Sequence, residues 1–352
     1  MLVNLLYILA ALAIMGVIVT IHEFGHYAVG RLCGIGIVEF SVGMGPRLLG
    51  FEKSGIQYSL RAIPLGGYCK FVGEDEENPD PRAMNNQPVW KRFLTVAAGP
   101  VMNFILAFVA AVILFACYSE RVVPRVDVVD VDTPAAVAGM EIGDRIVAVN
   151  GHEVGFDENG VSLVQSEVAA AAGGEVEFDV ERDGERLSLA ITPAYVPQED
   201  GSGRYLIGIV FSYQHMSFAE AAPTAIPLAA DYMRRASTLL LDALRKLIFK
   251  GEGANEMAGT VGIISMVSQS VREGWYMVFY YLFIISLNLG IINLLPFPAL
   301  DGGRLVFLIV EAIRRKPIPA EKEGLVHAIG FILFIGLFLV LTYQDIMRLI
   351  RG

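Results

Sequence analysis

"GVIVTIHEFGHYAVG", residues Gly16 to Gly30, places two histidines and a glutamate at the end of a run otherwise suited to hydrocarbon. Leu2 to Ile21 is nearly continuous apolar sequence, broken by Asn4 and Thr20, and suffices to cross a bilayer core of ~30 Å. No Lys or Arg precedes Arg31, which argues against a cleaved signal peptide and for a retained span. Ionisable side chains at such a depth are costly unless they pair or bind something. On a helix, His22 and His26 project from one face, one turn apart. Glu23, displaced by ~100°, still reaches a water held between the imidazoles. This is the H-E-x-x-H arrangement for a zinc ion with a glutamate as general base.

The 352-residue chain is 54% hydrophobic with a mean hydropathy of +0.53, a membrane-protein composition. Phe93 to Tyr118, Trp275 to Leu295 and Leu325 to Tyr343 repeat the apolar pattern, giving four expected spans. Basic residues gather between spans one and two, from Arg31 to Arg92, and between three and four, from Arg304 to Lys322. Those loops are expected to be cytoplasmic, with the N-terminus, the long insert after span two and the C-terminal tail on the other side. A formal net charge of −10 without any basic block excludes nucleic acid as the expected partner. Much of that charge sits in the acidic run Gly73 to Asp80. Cys33, Cys69 and Cys117 form neither a disulfide framework nor a paired-thiol metal site.

A hydrolytic zinc needs three protein ligands and an open position, and the first span offers two. Asp301, in "NLGIINLLPFPALDGGRL", is the only acid between Glu273 and Glu311 and is the best candidate for the third; on its own it also reads as a helix N-cap. Pro296 and Pro298 remove backbone donors and break the third span at membrane depth. Asn293 is positioned to hydrogen-bond that broken backbone or a substrate carbonyl.

Between spans one and two, "VEFSVGMGPRLLGFEKSGIQYSLRAIPLGGYCKFVGE" (38–74) alternates like short strands and is too apolar for an ordinary loop. It reads as a β-rich element at the membrane near the first span, or as a cytoplasmic hairpin outside the site. The insert contains "TPAAVAGMEIGDRIVAVNG", Thr133 to Gly151: a turn into a short helix, a strand from Arg145 to Val149, and an Asn150-Gly151 hairpin turn. It resembles a PDZ domain, which binds peptides by adding a strand, or serves here only as a size-selecting plug. Residues 217–250 read as an amphipathic helix on the outer membrane surface or a linker helix.

"HEFGH" on the first span with "NLLPFPALDGG" on the third resembles the bacterial site-two protease family of intramembrane zinc metalloproteases, RseP/RasP type with a single PDZ domain. "AAGPVMNFILA" (97–107) and "GTVGIISMV" (259–267) extend the resemblance over nearly the whole chain. It implies one Zn2+ held by His22, His26 and Asp301, Glu23 as catalytic base, and Asn293 and Asn103 in packing or substrate binding. Thr260 departs from the Pro common in relatives. The fold expected is a polytopic α-helical membrane protein with a membrane-associated β-rich element and an inserted extracytoplasmic PDZ (α+β) domain. Its parts are a first span with HExxH (1–30), the β-rich element (31–92), a second span (93–118), the PDZ domain (119–212), amphipathic and linker helices (213–274), a third span (275–300), a cytoplasmic loop (301–324), and a fourth span with tail (325–352). The resemblance further implies a bacterial inner-membrane enzyme acting on single-span membrane proteins pre-cleaved by another protease, such as anti-sigma factors or remnant signal peptides. Two rivals stand at this stage: an inactive membrane PDZ scaffold, and a metal transporter, which has no use for Glu23 and would be expected to show an inverted repeat.

Overall fold

A computed structural model describes residues 2–74, 78–197, 203–251 and 259–351; the middle of the acidic run, 75–77, lies outside them. In chain order the elements are α1 (Leu2–Leu32), β1 (Ile37–Lys53), β2 (Ile56–Phe71), α2 (Val89–Cys117), β3 (Glu120–Val129), α3 (Pro134–Val137), β4 (Arg145–Val149), β5 (His152–Glu153), α4 (Glu158–Ala170), β6 (Val176–Arg182), β7 (Glu185–Ile191), β8 (Ala194–Pro197), β9 (Gly203–Leu206), β10 (Ile209–His215), α5 (Phe218–Lys250), α6 (Thr260–Glu273), α7 (Trp275–Asn293), α8 (Asp301–Arg314) and α9 (Ala320–Arg351). They divide into two compact units, Met1–Ala116 with Thr224–Gly352, and Cys117–Pro223.

In the first unit, α1, α2 and α7 are long and apolar enough to cross a membrane among the described residues. The fourth expected span, 325–343, falls within α9, where the described apolar stretch is Glu323–Leu333. Helices α1 and α2 approach to backbone contact: a Cβ on Gly25 would run into the Ala98 carbonyl and Met102. Helix α7 stops at Asn293 and gives way to a non-helical turn containing Pro296 and Pro298, since neither proline supplies an amide donor. Ala299 takes a φ of +74° there, and α8 starts at Asp301. In α9, Asp345 is buried and accepts the N–H groups of Gly259, at 3.2 Å, and Gly262, at 2.8 Å. It thus caps α6 from a distant part of the chain, where Gly259 has no side chain to do so.

Strands β1 and β2 each bend. The first half of β1 pairs on both sides, Phe40 facing Cys69 on one and Tyr58 on the other. Residues 67–71 therefore form an outer edge of the sheet. Leu48, Leu49 and Phe51 at the far end are exposed. Behind the sheet, Ile35, Ile37, Phe71 and Met84 pack with Val96 of α2 and with Leu305 and Leu308 of α8, locking the start of α8 against α2. Arg92 of α2 pairs with Glu311 of α8, and Arg304 of α8 with Glu74. Tyr232 of α5 stacks on Phe283 of α7 at 5.0 Å and meets Phe115 of α2 edge-on at 5.6 Å.

The second unit is built on a sheet of order β10-β3-β4-β6-β7, with β5 paired to β4. The Asn150-Gly151 pair, both at positive φ, turns β4 into β5 with Val149 opposite His152. Val126, Ile146, Val149, Val176, Phe178 and Val180 form its core with Val164 and Val168 of α4. Helix α4 is capped by Asp157, whose side chain accepts the Gly160 N–H at 2.9 Å. Just before β4, Asp144, 1% exposed, receives both Nε and Nη2 of Arg182 at the end of β6, each at 2.7 Å.

Candidate metal centre

His22 and His26 stand one turn apart near the C-terminal end of α1, both buried, with ring planes 83° apart and centroids 4.9 Å apart. Their Nε2 atoms are 3.2 Å from each other. Asp301, the first residue of α8, reaches the pair from the far end of the chain. Its Oδ2 lies 3.1 Å from His22 Nε2 and 3.5 Å from His26 Nε2. One donor atom from each residue falls within a 4.8 Å span.

Two imidazole nitrogens and a carboxylate oxygen are a donor set suited to zinc. Among the described residues, Asp301 Oδ2 is buried and receives no well-formed hydrogen bond despite its approach to the two Nε2 atoms, a state that costs ~1–3 kcal/mol even for a neutral acceptor and more for a charged one. A cation shared with the two Nε2 atoms satisfies it. The far side of His26 agrees: the Thr95 carbonyl can only accept, so His26 Nδ1–H donates to it at 2.9 Å and leaves Nε2 its lone pair.

Helix α2 is the floor of this site. Thr95, Gly99 and Asn103 follow one another at four-residue intervals, matching in reverse the interval between His26 and His22. Thr95 meets His26, Asn103 meets His22 with its amide 3.0 Å from Nδ1, and both imidazoles lie on Gly99, where a Cβ would collide with them. Ser286 of α7 donates to the Asn103 carbonyl at 2.9 Å, tying a second membrane helix to the same point.

Glu23 is half-buried beside this cluster, within electrostatic reach of His22, His26 and Asp301. Its Oε2 accepts the backbone N–H of Cys69 at 3.1 Å, so the outer edge of the β sheet orients it. Upstream of Asp301, the Ala299 N–H donates to Nδ1 of His327 at 2.9 Å, steadying the turn that delivers the carboxylate. Of the residues the sequence singled out, His22, Glu23, His26, Asn103 and Asp301 are brought together. Asn293 is half-buried at the end of α7 and shares no hydrogen bond with any of them. Sequence reasoning missed Thr95 and Cys69, which contribute backbone atoms that no side-chain pattern advertises. The four-residue interval from Thr95 through Gly99 to Asn103 was the available signal for the floor.

The profile of peptidase family M50 matches residues 10–337, most of the chain. The chain belongs to peptidase family M50, the site-two protease family. Among its M50 relatives, a Brucella suis protein described as a candidate zinc metalloprotease is 34% identical over 96% of this chain and 94% of its own length. One from Agrobacterium fabrum, similarly described, is 34% identical over 98% and 96%. The zinc metalloprotease RasP of Shouchella clausii is 30% identical over 97% and 99%. This M50 protein is a zinc metalloprotease with Zn2+ as its cofactor, and a multi-pass membrane protein with a β element.

Proposed function

We propose that the protein hydrolyses peptide bonds of membrane-spanning segments, within the bilayer near its cytoplasmic face. The observation that carries this is the meeting of His22, His26 and Asp301 at the end of a membrane-length helix. In this reading those three side chains hold the zinc ion. Bound there, the metal acts as a Lewis acid, polarising the scissile carbonyl and acidifying the attacking water. Glu23 takes the proton of that water and returns it to the leaving amine. The Cys69 N–H aims the carboxylate, and the Thr95 carbonyl holds His26 in the required tautomer.

A substrate helix has its carbonyls engaged in its own hydrogen bonds and must unwind before attack. Residues 67–71, the outer sheet edge next to Glu23, already give the Cys69 and Phe71 N–H groups to Glu23 and Glu74; a substrate strand added there would use the backbone groups that remain. Asn293, beside the proline-broken turn, is assigned to the same extended substrate. The exposed Leu48, Leu49 and Phe51 fit a β element lying in the membrane. The reading has four spans, with α9 as the fourth, in a bacterial inner membrane. Both termini and the second unit lie outside, the unit serving as a PDZ domain that reads or sizes the substrate's outer end. Substrates are then single-span proteins already shortened by another protease, anti-sigma factors or remnant signal peptides among them.

The test is zinc content and cleavage of a transmembrane peptide by the full-length protein in liposomes. Asp301→Ala is expected to lose both; a variant that keeps bound zinc and cleavage would refute the ligand assignment.

A further inference from the structure

We propose that Asn103 is a positioning residue for the metal: its amide oxygen accepts the Nδ1–H of His22 and so selects the imidazole tautomer that presents Nε2 to zinc. This rests on the reading of His22 as a ligand.

Asn103 is fully buried, and its Nδ2 sits 3.0 Å from His22 Nδ1 while its Oδ1 has no partner among the described residues. A neutral imidazole carries one proton. If the amide N–H donates to Nδ1, the proton must sit on Nε2, facing Asp301 Oδ2 at 3.1 Å where the metal belongs. The two ends of a carboxamide are nearly equal in size. A half-turn about the last side-chain torsion therefore exchanges them in the same space. The partnerless Oδ1 then lies at the hydrogen-bond position, His22 Nδ1–H donates to it, and Nε2 is free to coordinate. Asn103 thus serves both states of the site, with the amide donating when a proton holds Nε2 and accepting when a cation does.

The two histidines are treated unequally for a physical reason. His26 faces a backbone carbonyl, which accepts only, so its tautomer is locked. His22 faces a group that both donates and accepts, so its tautomer follows the metal. Asn103 is itself held by α7, through the Ser286 bond to its backbone carbonyl and the close approach of Gly290 to its Cβ. Neither contact uses the amide, so changing the side chain leaves the helix packing bonds in place. Outer partners of ligating histidines typically set metal affinity by ~10–100-fold.

The experiment measures Zn2+ affinity of the full-length protein by competition with a chelator, for the unmutated chain, Asn103→Leu, Asn103→Asp and His22→Ala. Asn103→Leu keeps the branching, is bulkier, and loses the acceptor; it is expected to bind zinc ~10–100-fold more weakly. Asn103→Asp can only accept, and is expected to stay close to the unmutated affinity. Wild-type affinity in the Leu variant, or an Asp variant as weak as Leu, overturns the proposal. Should the Leu variant fail to fold, the 15N spectrum of the His22 ring in the zinc-loaded unmutated protein decides instead: a protonated Nδ1 is expected, a bare one refutes. An unchanged affinity in His22→Ala would sink the ligand reading itself, which separates that failure from this one.

Discussion

Glu23 Oε2 accepts the backbone N–H of Cys69 at 3.1 Å, which joins the helix carrying the histidines to the outer edge of the β sheet. One contact thus couples the proposed base to the surface on which a substrate strand would be laid. Occupation of the edge and orientation of the carboxylate are then parts of a single arrangement, and disturbing either strand geometry or Glu23 should be felt by the other.

Gly99 is the floor under both imidazoles, so Gly99→Ala should damage the metal centre through sterics alone. A Cβ there meets the His26 and His22 rings, and relief by shifting α1 against α2 should cost ~1–3 kcal/mol. The expected outcome is weaker zinc binding together with reduced cleavage, both measured on full-length protein. Unchanged zinc affinity would show that the helices have room that the structure denies them.

Asp345 caps α6 from α9, and its replacement by Ala leaves the Gly259 and Gly262 N–H groups without their acceptor. The expected loss is ~0.5–2 kcal/mol, the usual range for a helix cap. It should appear as a lower midpoint in thermal unfolding in detergent. The zinc content at low temperature should not change, because Asp345 does not belong to the metal cluster.

The insert offers a pH test independent of the membrane. Burial alone would raise the Asp144 carboxyl, but hydrogen bonds from Arg182 and the Glu141 N–H hold it below the ordinary carboxylate value. A folded-state value below the unfolded one, ~3.9, means the stabilisation is complete above that pH and is lost as pH falls through the folded value. Unfolding of residues 117–223 by urea should therefore show Asp144→Asn less stable at pH 7, with the gap narrowing below pH ~4. A gap that is constant with pH would contradict the assignment.

Much of the centre was legible because its chemistry needs rare side chains in a setting that penalises them. The interval between His22 and His26, and the one acid between Glu273 and Glu311, named the three side chains that converge. The Asn150-Gly151 turn was likewise legible, since few dipeptides tolerate its backbone. What escaped were partners without a side-chain signature, the Thr95 carbonyl and the Cys69 N–H, and pairings between distant segments such as Asp345 with Gly259. The double pairing of Phe40 escaped too, because alternation says which face a residue takes and not how many neighbours its strand has. Asn103 was visible as a residue, and Gly25 and Gly30 as small surfaces for a close helix approach, but its bond to His22 follows from which face of α2 crosses α1 there.

In the proposed reaction Glu23 moves the proton in a zinc-dependent hydrolysis inside the membrane. Glu23→Gln is close to isosteric, retains an acceptor for Cys69 N–H, and leaves His22, His26 and Asp301 untouched. Zinc stoichiometry and cleavage of a transmembrane peptide would be measured side by side for the two proteins. One zinc per chain is expected in both, with cleavage at least ~100-fold slower in the variant. Equal cleavage by both would contradict that role of Glu23.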